Sequence, residues 1–238
     1  MEFKKNQKVE GVLFDFNGTL FFDSHMHVEA FGEVCEEYGI PRFSTDDLIK
    51  RIFGRTNQEL CKAYFKADAT DEECDAFAKR KRELYFETCL RMPERFKLAP
   101  GAYEMLDYLK DNGIPYALAT GSDGEEVEFF IKHLGISRWF SYGKNLVYND
   151  GTYNGKPAPD CYILAAKSIN LDPSRCVVFE DGRSGIKAAH AANAAAVIAV
   201  HESDVPSPVD EESAVDMCFN DHTSWRDVLG SLGLLRKD

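Results

Sequence analysis

The chain has 238 residues, of which 44% are hydrophobic and 29% charged, a balance that suits a globular protein with a sizeable core. Its formal charge of −12 argues against a general nucleic-acid binder or a ligand for anionic membranes. An anionic substrate stays open, because a bound divalent cation can reverse the local field.

In chain order, the first signal is the apolar run Val12-Leu13-Phe14, too short for a helix and flanked by glycines, which predicts a buried strand. Asp15 would close it, and Gly18 would let the chain turn back with inward amides while Thr19 bonds a neighbouring oxygen. Val28, Phe31, Val34 and Tyr38 recur at helical spacing over Ser24 to Tyr38, stopped by Gly39 and Pro41. Further helices are expected over Thr45 to Phe53, Gln58 to Lys66 and Asp71 to about Leu90, the last opened by a capping box of Thr70 and Glu73. No strand pattern interrupts this stretch, so residues 23–93 read as an all-helical insert.

From Pro100 the pattern alternates. A helix over Gly101 to Asp111 leads to a strand Tyr116 to Thr120, and a helix to about Leu134 opens with Ser122 and Glu125 at capping-box spacing. Trp139 to Tyr142 is expected to be a short strand, and Leu146 to Tyr153 a small hairpin around Asn149-Asp150-Gly151. Then come a helix over Pro157 to Ile169, a strand Cys176 to Phe179, a helix Ser184 to Ala194 and a strand Ala196 to Val200. A polar loop over His201 to Ser213, a strand Met217 to Phe219 and a helix from Thr223 to Leu235 close the chain. Repeated βα units imply an α/β fold, a Rossmann-like parallel sheet with helices on both faces. The expected organisation is a core of residues 1–22 and 94–238 carrying the inserted all-helical cap of residues 23–93.

The cysteines Cys35, Cys61, Cys74, Cys89, Cys161, Cys176 and Cys218 are odd in number and form no CxxC pair. That predicts free thiols in a reducing, cytoplasmic compartment, without a disulfide framework or zinc site. Met1 to Lys5 has basic residues but no apolar run behind it, and nothing reaches transmembrane length, so neither export nor membrane insertion is expected.

Three predicted strands end in polar groups at one edge: Asp15, Thr120, and the pair Glu180-Asp181. Lys156 stands at the mouth of a helix. A carboxylate nucleophile needs a cation to neutralise an incoming phosphoryl group, and a second carboxylate from another strand can hold Mg²⁺ against it. Thr120 and nearby amides can hold phosphate oxygens while Lys156 supplies a fixed positive charge. The set fits phosphoryl transfer through an aspartyl-phosphate.

These motifs resemble those of the haloacid dehalogenase-like superfamily, in the branch with a helical cap after the first strand that includes beta-phosphoglucomutases and small-metabolite phosphatases. Asp15-Phe16-Asn17-Gly18-Thr19-Leu20 looks like its first motif and Thr120 like its second. Lys156-Pro157-Ala158-Pro159-Asp160 looks like the third, and Phe179-Glu180-Asp181-Gly182, running on to Ala189, like the fourth. The resemblance implies that Asp15 is nucleophile and Mg²⁺ ligand. It implies further ligands in the Asn17 backbone carbonyl and Asp181, with Glu180 either ligating directly or standing behind the ligands. Thr120, Gly121 and Ser122 would receive the phosphate or substrate, and Lys156 would neutralise it.

The sequence departs from the family at Asn17, where its phosphatases and mutases carry an aspartate that protonates the leaving oxygen. An amide keeps the shape but exchanges no proton near neutral pH, so slow-leaving alkoxides should suffer most and mutase activity becomes disfavoured. The resemblance also marks Gly54-Arg55-Thr56-Asn57 as a cap specificity loop, with Arg55, His27 and Lys81 as substrate candidates. The expected protein is a Mg²⁺-dependent phosphohydrolase of a small phosphorylated metabolite such as a sugar phosphate. A silent phospholigand-binding protein and a Mg²⁺-independent dehalogenase are the alternatives.

Overall fold

A computed structural model describes residues 8–44, 55–203 and 214–236. The chain divides into two compact units, Met1–Phe22 with Leu98–Asp238, and Asp23–Lys97.

The first unit is built on strand β1 (Gly11–Phe14), all four of whose residues are buried. It pairs in parallel with β2 (Tyr116–Ala119) on one side and β4 (Cys176–Glu180) on the other. Strands β3 (Leu146–Val147), β5 (Ala196–Val200) and β6 (Met217–Phe219) complete a six-stranded parallel sheet of order β3-β2-β1-β4-β5-β6. Strands buried on both faces read as continuous apolar runs, which is why Cys176–Glu180 and Ala196–Val200 were legible.

Register decides which side chains share a face. Leu13 lies level with Ala117 and Val178, and Val178 with Val197. These residues pack on Cys161, Tyr162, Ala165 and Ala166 of α6 (Asp160–Ser168) and on Ile186, Ala188 and Ala189 of α7 (Arg183–Ala191). Helix α4 (Ala102–Asp111) meets α8 (Trp225–Ser231) through Tyr108 and Trp225, whose rings lie 4.9 Å apart.

The second unit pairs α1 (Ser24–Glu37) with α3 (Asp71–Arg91). Both halves of the Thr70–Glu73 capping box form. A short α2 (Asn57–Leu60) runs into a π-helical turn, Cys61–Phe65, where one continuous helix was expected. Its own capping box, Thr56 with Glu59, was not anticipated. Phe31, Phe65 and Phe77 build the interior of this unit, with Phe65 and Phe77 rings 4.4 Å apart. The helix expected over Thr45 to Phe53 lies outside the described residues, as do Gly54 and residues 204–213 of the polar loop.

Three expectations in the first unit need correction. Trp139 to Tyr142 is not a strand, because Ile136–Arg138 forms a 3-10 turn that Trp139 closes, and only Tyr142 makes an isolated bridge. Leu146–Val147 is no hairpin arm either, since it adds in parallel to the edge of β2. Asn149 and Asp150 bond the amides of Gly151 and Thr152, so they close local turns within a connection to α6. The cap of α5 (Gly124–Leu134) is Asp123, which accepts from the amides of Glu125 and Glu126, and not Ser122. Among the described residues no helix is long and apolar enough to cross a membrane. All seven cysteines are free, and only Cys218 is exposed.

Candidate active site

Chain order leaves β1 in one direction through β2 and β3, then returns to β4 and continues outward through β5 and β6. The reversal falls between β1 and β4, where an open parallel sheet leaves a crevice at the strands' carboxyl ends. Phe14 lies level with Phe179, so Asp15 and Glu180 leave the sheet side by side, and the Asp15 amide donates to the Phe179 carbonyl at 3.0 Å.

Lys156 Nζ donates to Asp15 Oδ1 at 2.6 Å and to Glu180 Oε1 at 2.7 Å. Only a tenth of the Lys156 and Asp15 side chains is exposed, so this is a buried ionic triad. Burial pulls the ammonium's pKa down, but the adjacent Asp15 and Glu180 carboxylates outweigh it and hold the group well above the usual lysine range. Lys156 is therefore a permanent charge at neutral pH.

Glu180 is the most heavily bonded carboxylate of the set. Its Oε1 also accepts from Tyr162 Oη at 3.0 Å, while Oε2 accepts from the amides of Asp181 and Gly182, each at 2.8 Å. The last two donors open α7, whose N-terminal field favours a carboxylate there. Helix α7 passes so close that a Cβ on Gly185 would come within 1.5 Å of Glu180 Oε1. Tyr162, missing from the sequence reading, hides among apolar helix neighbours, and burial followed by the Glu180 charge pushes its phenol pKa well up.

The turn after β1 departs from expectation. The amides of Gly18, Thr19, Leu20 and Phe21 donate to the carbonyls of Phe16 and Phe21, so they close the turn. Gly18 adopts φ +77°, and a Cβ there would lie 2.1 Å from Asp181 Oδ2, so the Asp181 carboxylate rests against this backbone. Thr19 Oγ1 is buried without a hydrogen-bond partner, contrary to the expected bond. Its carbonyl instead meets His222 Nε2 at 2.9 Å. His222 is buried, and desolvation lowers its pKa to about 4. It therefore stays neutral and donates to Thr19, a contact across the chain that no local pattern announced.

Carboxylate oxygens of Asp15, Glu180 and Asp181 lie within 4.8 Å of one another. An all-oxygen, anionic donor set of this size suits a hard divalent cation such as Mg²⁺.

Asn17 and Ser122 also meet, Ser122 Oγ donating to Asn17 Oδ1 at 2.9 Å. Thr120 Oγ1 accepts from the Ser122 amide at 3.1 Å, so this hydroxyl holds its own turn, and Gly121 is exposed beside it. The remaining candidates belong to the second unit. His27 Nε2 lies 3.0 Å from Asp23 Oδ2 and stacks on Tyr85 at 4.3 Å, and Tyr85 Oη donates to the same Asp23 oxygen at 2.6 Å. Lys81 Nζ donates to Asn57 Oδ1 at 3.0 Å, which joins α3 to the start of α2. Arg55 is exposed just before the Thr56 cap.

A parallel sheet with a nucleophile-bearing β1, a lysine before α6 and an acidic pair after β4 defines a class of hydrolase. The profile of the family described as "haloacid dehalogenase-like hydrolase" matches residues 9–193, and the chain belongs to that family. A phosphorylated carbohydrates phosphatase from Thermotoga maritima is 34% identical over 184 residues, which cover 77% of this chain and 82% of that protein. The fructose-1-phosphate phosphatase YqaB of Escherichia coli is 30% identical over 193 residues, covering 80% and 96%. Among solved structures, a HAD hydrolase of family IA, variant 3, from Entamoeba histolytica superposes with a TM-score of 0.81 at 31% identity, covering 94% of this chain and all of that one.

Proposed function

We propose that the protein is a Mg²⁺-dependent phosphohydrolase of a small phosphorylated metabolite, a sugar phosphate being the leading candidate, acting through an aspartyl-phosphate on Asp15. The observation that carries this reading is the buried Asp15 carboxylate, held at 2.6 Å by Lys156 and grouped with Glu180 and Asp181. The phosphatase relatives support the reaction class.

In this reading Asp15 attacks phosphorus, and Lys156 offsets the charge of the equatorial phosphoryl oxygens. Asp15, Asp181 and the Asn17 carbonyl would hold Mg²⁺, which when bound adds positive charge against the phosphate. Glu180, with both oxygens already engaged, positions Lys156 and the start of α7 and stands behind the ligands. Thr120, Gly121 and Ser122 line the phosphate side. Arg55, His27 and Lys81 remain candidate determinants of the substrate, and Asn17 makes the site atypical for want of a proton-exchanging group. The alternative is a binding protein that retains the phospholigand without turnover, favoured by Asn17.

The test measures phosphate release over a panel of phosphorylated metabolites, with Mg²⁺ and with EDTA. Turnover should vanish in EDTA, and Asp15→Asn should lower it by on the order of 10⁴–10⁶-fold. Equal rates in EDTA would sink the Mg²⁺ dependence. Ligand recovered intact after prolonged incubation would favour the binding protein.

A further inference from the structure

Asn17 lies two residues beyond Asp15, and its orientation is set from outside its own loop. Ser122 Oγ donates to its Oδ1 at 2.9 Å. Ser122 is itself held twice, by its amide on Thr120 Oγ1 at 3.1 Å and by its carbonyl, which accepts from the Asn149 amide at 2.9 Å. A carboxamide has one accepting end and one donating end. With Ser122 on the oxygen, the NH₂ end is turned the other way, and that end can only donate.

The ionisable groups gathered at Asp15 are committed elsewhere. Lys156 bridges two carboxylates, Glu180 accepts from four donors, and the Tyr162 hydroxyl is spent on Glu180. His222 faces the Thr19 carbonyl behind the turn. Among the described residues of this unit, none of these groups is set to hand a proton to a departing oxygen.

We infer that the Ser122–Asn17 pair makes this a site for leaving groups that depart as anions, namely phosphate esters of phenols and enols and mixed anhydrides with carboxylic or phosphoric acids. Asn17 steadies the leaving oxygen with a hydrogen bond, and Ser122 is a positioning residue acting through Asn17. The inference rests on the phosphohydrolase reading. In the first step an Asp15 oxygen bonds to phosphorus while the bond from phosphorus to the leaving oxygen breaks. The electron pair stays on that oxygen, which collects its proton from bulk water. In the second step a water oxygen bonds to phosphorus, the bond to Asp15 breaks with its electron pair returning to the carboxylate, and the water's protons pass to solvent. Proton donation by a placed acid is worth about 10²–10⁴-fold. Without it, the rate depends steeply on the acidity of the leaving group.

The test is kcat and KM for a series of aryl phosphates of graded phenol acidity, acetyl phosphate and several sugar phosphates. Wild type, Asn17→Asp, Ser122→Ala and Ser122→Thr are compared at one Mg²⁺ concentration. Wild type should process the most acidic leaving groups at least about 100-fold faster than the sugar phosphates. Asn17→Asp should flatten that dependence by raising the sugar-phosphate rates. Ser122→Ala should lower kcat severalfold with KM little changed, and Ser122→Thr should restore it, a pattern that simple loss of folded protein does not give. Equal wild-type rates on sugar and activated aryl phosphates would overturn the inference and leave the phosphohydrolase standing. So would a Ser122→Ala enzyme whose kcat is unchanged. Silence of wild type and Asn17→Asp on every substrate would overturn both.

Discussion

The two units use the same ionic chemistry in opposite settings. In the sheet unit, Lys156 bridges Asp15 and Glu180 with only about a tenth of its side chain exposed, and its carboxylates lie 141 and 24 residues away in the chain. In the helical unit, Arg80 of α3 makes a two-pronged contact to Glu37 of α1, but both side chains are more than a third exposed. Water already solvates the second pair and screens it, whereas the first depends on its partners alone for its hydration to be replaced. The lesson is that an ion pair reveals function by its burial and by the number of groups that converge on it. Charge alone, which the helical unit has in plenty, does not.

Several substitutions would break or sharpen this contrast. The largest effect belongs to Lys156→Met, which leaves two buried carboxylates facing each other without a cation. It should cost about 3–5 kcal/mol of stability in denaturant unfolding and remove turnover. His222 comes next. Its folded pKa of about 4 lies below the ordinary 6.5, so the unfolded chain binds more protons between those values. Stability should therefore hold above pH 6.5 and fall as the pH drops towards 4, by about 3 kcal/mol in all. Thermal unfolding against pH would show this limb, and His222→Asn should flatten it.

Gly185→Ala tests the close approach of α7 to Glu180. The added Cβ would overlap the carboxylate, so Glu180 or the helix must move, and about 1–3 kcal/mol of destabilisation is expected with a lowered kcat. An unchanged kcat and unfolding midpoint would mean that Glu180 needs no such cradle. The smallest effect belongs to Arg80→Ala, which should leave the unfolding midpoint within measurement error because the pair is exposed. A clear drop there would erase the distinction between the two units.

The sequence by itself determined the elements whose signal is local. Buried parallel strands announce themselves as apolar runs, amphipathic helices as spaced apolar residues, and a capping box as Thr70 three residues before Glu73, because each depends on near neighbours in the chain. Asp15, Lys156, Glu180 and Asp181 could be picked out as candidates because strand ends and helix mouths are themselves legible. What tertiary structure decided was every contact between distant segments. Leu146–Val147 became a parallel edge strand and not a hairpin because pairing with β2 satisfies its backbone, which no local residue pattern specifies. The four donors on Glu180, the Tyr162 hydroxyl among them, and the His222 ring under Thr19 follow from sheet register and helix packing. So does the Ser122 hydroxyl on Asn17, 105 residues apart in the chain, which sets the donating end of an amide whose identity alone was visible in the sequence.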